Sequence, residues 1–279
     1  MPKHFTDAQL NRYRHDGYIF PLRVMSAEDA AGYVRKLEAY EASLGGPIGA
    51  AESQKSNLLF TWIDEIVHNS RLLDAVEDVI GPNILLWSTE FFIKEARSPT
   101  YVTWHQDDTY WHLDPPIEIT AWLALADVTA NHGPMRFIPG SHRADRLPIV
   151  NEPNPDNMLR SGQMAQGVDE SKAVDSILRA GEISIHDTRT LHASKPNVES
   201  TRRIGLVMRF VPTQVQQRQK RETAMLVRGV DVYGHYDLEP RPRGDLDPAA
   251  RAAHGDAVAR HMGNLFGTGY QGKIDAKGA

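Results

Sequence analysis

Gly81-Pro82-Asn83-Ile84-Leu85-Leu86-Trp87 marks the point where the texture of this chain changes. Before it, apolar residues recur at helical spacing. Ser70 opens a helix carrying Leu72, Leu73, Val76, Val79 and Ile80, and Gly81-Pro82-Asn83 breaks it. After it come short β-rich runs, at residues 84–87, 90–94, 101–105, 117–125, 135–138, 182–186 and 204–211. Turn residues separate them, among them Ser98-Pro99, Asp114-Pro115-Pro116, Asn131-His132-Gly133-Pro134 and Pro139-Gly140-Ser141. Helices followed by many short strands predict an α+β fold, mainly β, with a sandwich or barrel as its core.

Working outward, Thr6 can cap a helix with Leu10 and Tyr13, which stops at Gly17. Tyr18-Ile19-Phe20 reads as a strand. Ser26, with Asp29 in the reciprocal capping position, starts a second helix that runs through Val34 and Leu37 to Gly45-Gly46. Residues 47–57 read as a loop. Residues 143–175 are polar, with Pro148, Pro153 and Pro155, and so long a stretch predicts a functional loop or lid. Asp247-Pro248 are the N-cap and first turn of a terminal helix over 249–265. The 239–248 piece is a connector, so residues 1–279 read as a single domain.

The 279 residues include no cysteine, which excludes disulfide scaffolds, thiolate metal sites and cysteine nucleophiles. A net charge of −5 argues against nucleic-acid or anionic-membrane partners. No apolar run approaches the ~20 residues of a membrane helix. Met1-Pro2-Lys3-His4-Phe5-Thr6 lacks the apolar stretch of a signal peptide, so a cytoplasmic location is expected. Twelve histidines, several near carboxylates, direct attention to a His/carboxylate metal site.

The central signal is Trp104-His105-Gln106-Asp107. On a strand, residues i and i+2 share a face, roughly 6.6 Å apart along the chain, so His105 and Asp107 can bind one ion. The third ligand must come from His112, His132, His142, His186 or His192. His192 is the best placed, just past the strand after Gly181-Glu182. Two histidines and a carboxylate leave open positions, as in the facial triad of non-haem Fe(II) oxygenases. On the bland reading, His192 is a core histidine bonded to a carbonyl. Arg203 follows 11 residues later and shares a face with Gly205 and Val207. Its guanidinium could grip a carboxylate bidentately, with Gly205 leaving room for it and Ser194 adding a hydroxyl. Strand parity alone does not decide between Arg203 and its neighbour Arg202.

His105-x-Asp107, the run Asn131 to His142, His192-x-Ser194 and Arg203 together resemble the phytanoyl-CoA dioxygenase family, over roughly residues 5–215. The resemblance implies a double-stranded β-helix, the jelly-roll core of cupin-like proteins, with flanking N- and C-terminal helices. It implies Fe(II) held by His105, Asp107 and His192. It implies 2-oxoglutarate as co-substrate beside O₂, its distal carboxylate on Arg203 with Ser194 assisting and Lys94 nearby. Hydroxylation of a small molecule with release of succinate and CO₂ is the implied reaction. Related halogenases carry a small residue in place of the carboxylate, so Asp107 favours hydroxylation. His142 reads as structural rather than as a fourth ligand.

Trp104 to Trp111, together with Ala224 to Gly229, looks more like a bacterial subgroup acting on 2-aminoethylphosphonate and its trimethylated form. The implied substrate is then small and polar, an aminoalkylphosphonate or an amino-acid-like compound. Tyr110 and Trp111 could cage an ammonium group, and Arg228, Arg209 or Lys94 could hold an anion. Trp104 and Gln106 complete the substrate candidates, although Trp104 and Trp111 are as readily core aromatics. His186 and Asp187 stand near His192 as candidate supports for the ligands. A homo-oligomer built on the terminal helix is conceivable. Two other readings are open: a metal-dependent hydrolase or lyase, or a non-catalytic binding protein, each on a cupin-like barrel. The hydrolase would not need Arg203 to face the metal.

Overall fold

The computed structural model describes residues 2–109, 111–159 and 161–266. Thr6 and Ser26 each close a capping box, with Gln9 and Asp29, on the helices Asp7–Asp16 and Ala27–Leu44. Gly17 and Gly45 end these helices in the left-handed region. The third expected helix spans Ser70–Ile80, but its cap is Asn69, whose side chain accepts from the Leu72 amide at 3.1 Å. Residues 47–57 are not all loop: they hold the turn Ala50–Ser53, and Ser56–Leu58 follows it. The helix Thr61–Val67 has no counterpart in the sequence reading, because two turns are too short for an apolar period to repeat. Asp247 accepts from the Ala249 and Ala250 amides and starts the terminal helix Pro248–Phe266.

The β-rich region folds into two main sheets. The larger has seven strands in the order Tyr18–Arg23, Glu182–Asp187, Ile119–Ala124, Arg203–Pro212, Ile84–Lys94, Thr223–Arg228 and Asp237–Leu238. The smaller has Val102–His105, His192–Ser194, Met135–Phe137 and Val174–Asp175. Their pairings are antiparallel except between the last two strands of the larger sheet. Residues 84–94, read as two runs, form one strand of 11 residues. Thr223–Arg228 was not anticipated as a strand.

Alternation divides the large sheet into two faces. Ile204, Leu206, Met208 and Phe210 join Leu37, Ile63, Ile66, Leu72 and Val76 of the helices in one apolar cluster. Arg203, Val207 and Arg209 face the other way, toward the small sheet. The neighbouring strand changes parity partway along. Arg209 pairs with Ser88 but Phe210 pairs with Leu86, so Trp87 is an extra residue in the ladder. Leu86 therefore packs on the helices while Glu90 and Phe92 look into the space between the sheets.

That space is a cavity of ≈ 300 Å³. Two further elements border it. The 143–175 segment, read as an irregular loop, contains a folded hairpin: Ile149–Asn151 pairs antiparallel with Gln163–Ala165. It brings Met158, Leu159 and Gln163 to the cavity. From the terminal helix come His261, Met262 and Leu265, one side of the helix at i, i+1 and i+4.

Candidate active site

His105 and His192 lie directly opposite each other on paired antiparallel strands, their ring centroids 4.0 Å apart. Asp107 reaches them by a different route from the one its spacing suggests. The strand ends at His105, and Asp107 begins a 3₁₀ turn, Asp107–Thr109. The turn still returns its carboxylate to the histidines: Oδ1 is 3.5 Å from His105 Nε2, and Oδ2 is 3.9 Å from His192 Nε2. One ligand atom from each of the three residues falls within 4.8 Å of the others.

The histidines are oriented by main chain. His105 Nδ1 lies 2.9 Å from the Thr103 carbonyl, and His192 Nδ1 lies 2.9 Å from the Thr190 carbonyl. A carbonyl can only accept, so each Nδ1 carries the proton and each Nε2 lone pair faces the third residue. Burial, then the neighbouring His105, pushes His192 well below the ordinary imidazole range, which keeps it in the neutral, ligating form. Burial works against the Asp107 charge, yet the imidazoles around it, His192 foremost, hold its carboxyl well below its usual range. This donor set suits a divalent transition metal with open positions.

His186 stands beside the cluster, 1% exposed, with its Nε2 3.7 Å from Asp107 Oδ2 and neither ring nitrogen hydrogen-bonded among the described residues. Alternation along Glu182–Asp187 places it there, since Ile183 and Ile185 face the helices. Asp187 accepts from the Arg189 amide at 2.8 Å, and burial raises its carboxyl. Thr120 Oγ1 reaches Asp107 Oδ2 at 3.5 Å and Glu118 Oε1 at 2.9 Å. Glu118 is buried, and burial, then the Asp107 charge, pushes its carboxyl well above the usual range. His132 caps its own turn and bonds Thr201, His142 bonds the Arg14 carbonyl, and neither adds a donor to the cluster.

Arg203 lines the same cavity, 1% exposed. Its Nη1 donates to the Gly133 carbonyl at 2.5 Å, its Nε has no partner among the described residues, and its guanidinium lies 5.4 Å from the Trp122 ring centroid. Burial pulls this guanidinium down to about 9. Lys94 pairs in register with Arg203 and donates to Ser194 Oγ at 2.7 Å and to the Lys195 carbonyl at 2.5 Å. Burial, with Arg203 beside it, pulls Lys94 down to about 6. Among the described residues neither cation has a carboxylate partner. Such a buried pair fits an anionic ligand. Gly205 plays a different part from the one expected. A Cβ there would stand 2.0 Å from Trp122 Cζ2, so the indole, not a ligand, takes up the space.

The substrate candidates separate. Trp111 lines the cavity, packed edge-to-face on Trp87 at 5.1 Å and under the Arg209 guanidinium at 5.3 Å. Trp104 is core: it packs with Ala165, Leu191 and Ala193 and under Arg136. Gln106 donates to the Arg189 carbonyl at 2.5 Å and holds a loop. Arg228 is turned away by a register shift after Leu226 and pairs with Asp74 at 2.7 Å and Glu77 at 2.8 Å on the helix Ser70–Ile80. Tyr110 lies outside the described residues. Glu90 carried no sequence signal, because the bulge at Trp87 hides its parity.

Comparison with known proteins agrees with this geometry. The phytanoyl-CoA dioxygenase (PhyH) family model matches residues 13–205. A probable alpha-ketoglutarate-dependent hypophosphite dioxygenase of Stutzerimonas stutzeri is 24% identical over 231 residues, 72% of this chain and 77% of that protein. The ectoine dioxygenase of Bordetella bronchiseptica is 21% identical, over 73% of this chain and 76% of its own. Among solved structures, the apo non-heme monooxygenase ThoJ aligns with TM-score 0.82 and 34% identity, covering 91% of this chain and 96% of its own. CytC3 with Fe(II) and alpha-ketoglutarate aligns with TM-score 0.66 and 26% identity, covering 88% and 97%. The fold is therefore the jelly roll of these oxygenases, its sheets left unclosed. With its family model spanning most of the paired strands, the chain belongs to the phytanoyl-CoA dioxygenase family and is a 2-oxoglutarate-dependent non-haem iron dioxygenase.

Proposed function

We propose that this enzyme is a hydroxylase whose Fe(II) is held by His105, Asp107 and His192 through two Nε2 atoms and a carboxylate oxygen. Arg203 takes the distal carboxylate of 2-oxoglutarate, Lys94 adds a second positive charge, and Ser194 is held in place by Lys94. The carrying observation is Arg203 itself: buried, lining the cavity of the His/Asp/His cluster, and without a carboxylate partner among the described residues. A hydrolase or lyase on the same triad would not need a guanidinium there.

When bound, iron and 2-oxoglutarate together activate O₂ and supply the oxidant for a C–H bond. The chain's own residues set the conditions. The carbonyls of Thr103 and Thr190 fix both imidazoles in the Nε2-ligating tautomer. Asp107 occupies a carboxylate position that a halogenase leaves to chloride, which favours hydroxylation. Trp122 braces the Arg203 fork. The hairpin at 149–165 and the terminal helix border the cavity with Met158, Leu159, Met262 and Leu265, which limit water at the reacting centre.

The substrate is a small molecule. An amino-acid-like compound has more support than an aminoalkylphosphonate: of the cations considered for a phosphonate, Arg228 is committed to a helix and Lys94 stands with Arg203 at the 2-oxoglutarate end, which leaves Arg209 alone to meet a dianion. The test is an anaerobic titration of apo protein with Fe(II) and then 2-oxoglutarate. A weak visible charge-transfer band that needs both additions is expected. Iron binding without the band would favour the hydrolase or lyase, and no metal binding would sink the triad.

A further inference from the structure

Arg203 and Arg209 stand on the same face of one strand, six residues and roughly 20 Å of chain apart. The first marks the 2-oxoglutarate end of the cavity. The second marks an end to which no ligand has been given. Arg209 is largely buried, and its contacts are slack: Nη1 reaches Glu90 Oε2 at 3.3 Å and Ser88 Oγ at 3.4 Å, and its buried Nε has no partner among the described residues. Arg202 and Arg228, whose partners satisfy them, make their closest contacts at 2.8 and 2.7 Å. Glu118, the other carboxyl near Arg209, accepts from Thr120 at 2.9 Å instead, and burial raises its carboxyl.

The wall behind Arg209 is built to hold it. Its guanidinium lies over Trp111, which packs on Trp87. Trp87 Nε1 donates to Glu222 Oε2 at 2.7 Å, and Glu222 is fixed by His261 at 3.0 Å and Asn264 at 2.7 Å. Those two residues belong to the terminal helix, whose Met262 and Leu265 supply apolar surface to the same cavity. One end thus offers a guanidinium with an unused donor, a carboxylate beside it, and apolar walls.

We propose that Arg209 and Glu90 are the specificity-determining pair of this enzyme and that its substrate is a zwitterion, a carboxylate on Arg209 beside an ammonium on Glu90, with an apolar body. This rests on the cavity being the active site proposed above. A zwitterion replaces one long ion pair with two short charge-assisted contacts. A neutral compound gains nothing from either group, and an anion or cation alone leaves one charge unmatched in a site of low dielectric.

The test uses full-length protein loaded anaerobically with Fe(II) and 2-oxoglutarate. Calorimetry compares L-leucine and L-phenylalanine with their N-acetyl, amide and N-acetyl-amide counterparts, which lack the ammonium, the carboxylate and both in turn. Zwitterions should bind tightest. Arg209→Gln should weaken them on the order of 10- to 100-fold. Glu90→Gln should weaken the zwitterions but not the N-acetyl forms, an asymmetry that general loosening of the cavity does not produce. Should Arg209→Gln fail to fold, the ranking of ligand forms on the wild type decides alone. Equal binding of all forms, tighter binding of the neutral ones, or no binding of either zwitterion at millimolar concentration overturns the proposal. A wild type with no charge-transfer band points instead to failure of the cofactor assignment.

Discussion

Arg202 and Arg203 are neighbours in sequence with opposite fates. Arg202 faces outward and is gripped by Glu41 at 2.8 Å and Glu95 at 2.9 Å, and the Glu41 contact raises its guanidinium above the ordinary value. Arg203 faces the cavity with no carboxylate to meet it among the described residues, and burial lowers it to about 9. The outer face of the sheet resolves its charges within the chain. The inner face leaves Arg203 and Lys94 without an acidic partner among the described residues. Burying two such groups without partners destabilises a fold, so their presence is a statement about a ligand.

The largest expected effect removes what that ligand would share the cavity with. Asp107→Ala or His192→Ala should abolish Fe(II)-dependent succinate release. Wild-type turnover in either would remove the triad, and with it the meaning of the inner face.

Arg203→Ala should raise the KM for 2-oxoglutarate on the order of 100-fold, the loss of a bidentate charged contact. Arg202→Ala should leave that KM alone and cost about 1 kcal/mol or less in urea unfolding. Equal effects of the two would erase the contrast.

Trp111→Ala and Trp104→Ala extend the comparison to the aromatics. The first should impair substrate-stimulated turnover with iron binding retained. The second should cost about 3 kcal/mol of stability, as core truncations do, with KM values unchanged.

The smallest effect is a proton. An unfolded chain keeps Lys94 protonated up to its ordinary 10.5, while the folded chain releases that proton above about 6. Between those values the unfolded state binds more protons, so this group's cost is fully present below about 6 and fades as pH rises toward 10.5. A carboxylate arriving beside Lys94 restores the charged form. Binding of 2-oxoglutarate near neutral pH should therefore take up protons, seen calorimetrically as a heat that depends on the buffer's own ionisation heat. Lys94→Met should diminish the uptake. Identical heats in two buffers would assign Lys94 a constant charge.

Much of this was legible in the sequence for local reasons. Thr6 and Ser26 cap helices by contacts three residues long, and Gly17 meets a left-handed turn. Arg203 could be placed beside Val207 because its strand is regular on that side. What escaped depends on irregularity or on distant chain. The bulge at Trp87 reverses the parity that would have shown Glu90 facing inward, and the register shift after Leu226 sends Arg228 to a helix. Gly205 looked like space for a ligand, but only the pairing with Ile119–Ala124 brings Trp122 over it. Asp107 sits in a turn rather than on a strand, and the pairing of His192 with His105 brings the three residues together all the same.

The acceptors that orient His105 and His192 are carbonyls two residues back on each histidine's own chain. No side-chain substitution at Thr103 or Thr190 can delete them. The tautomer of each imidazole is therefore inherited from the path of the backbone, and mutation can disturb it only by moving that path. The side chains at 103 and 190 matter to both nitrogen lone pairs only through that path, which their hydroxyls help to hold by donating to the Gln163 and Gly17 carbonyls.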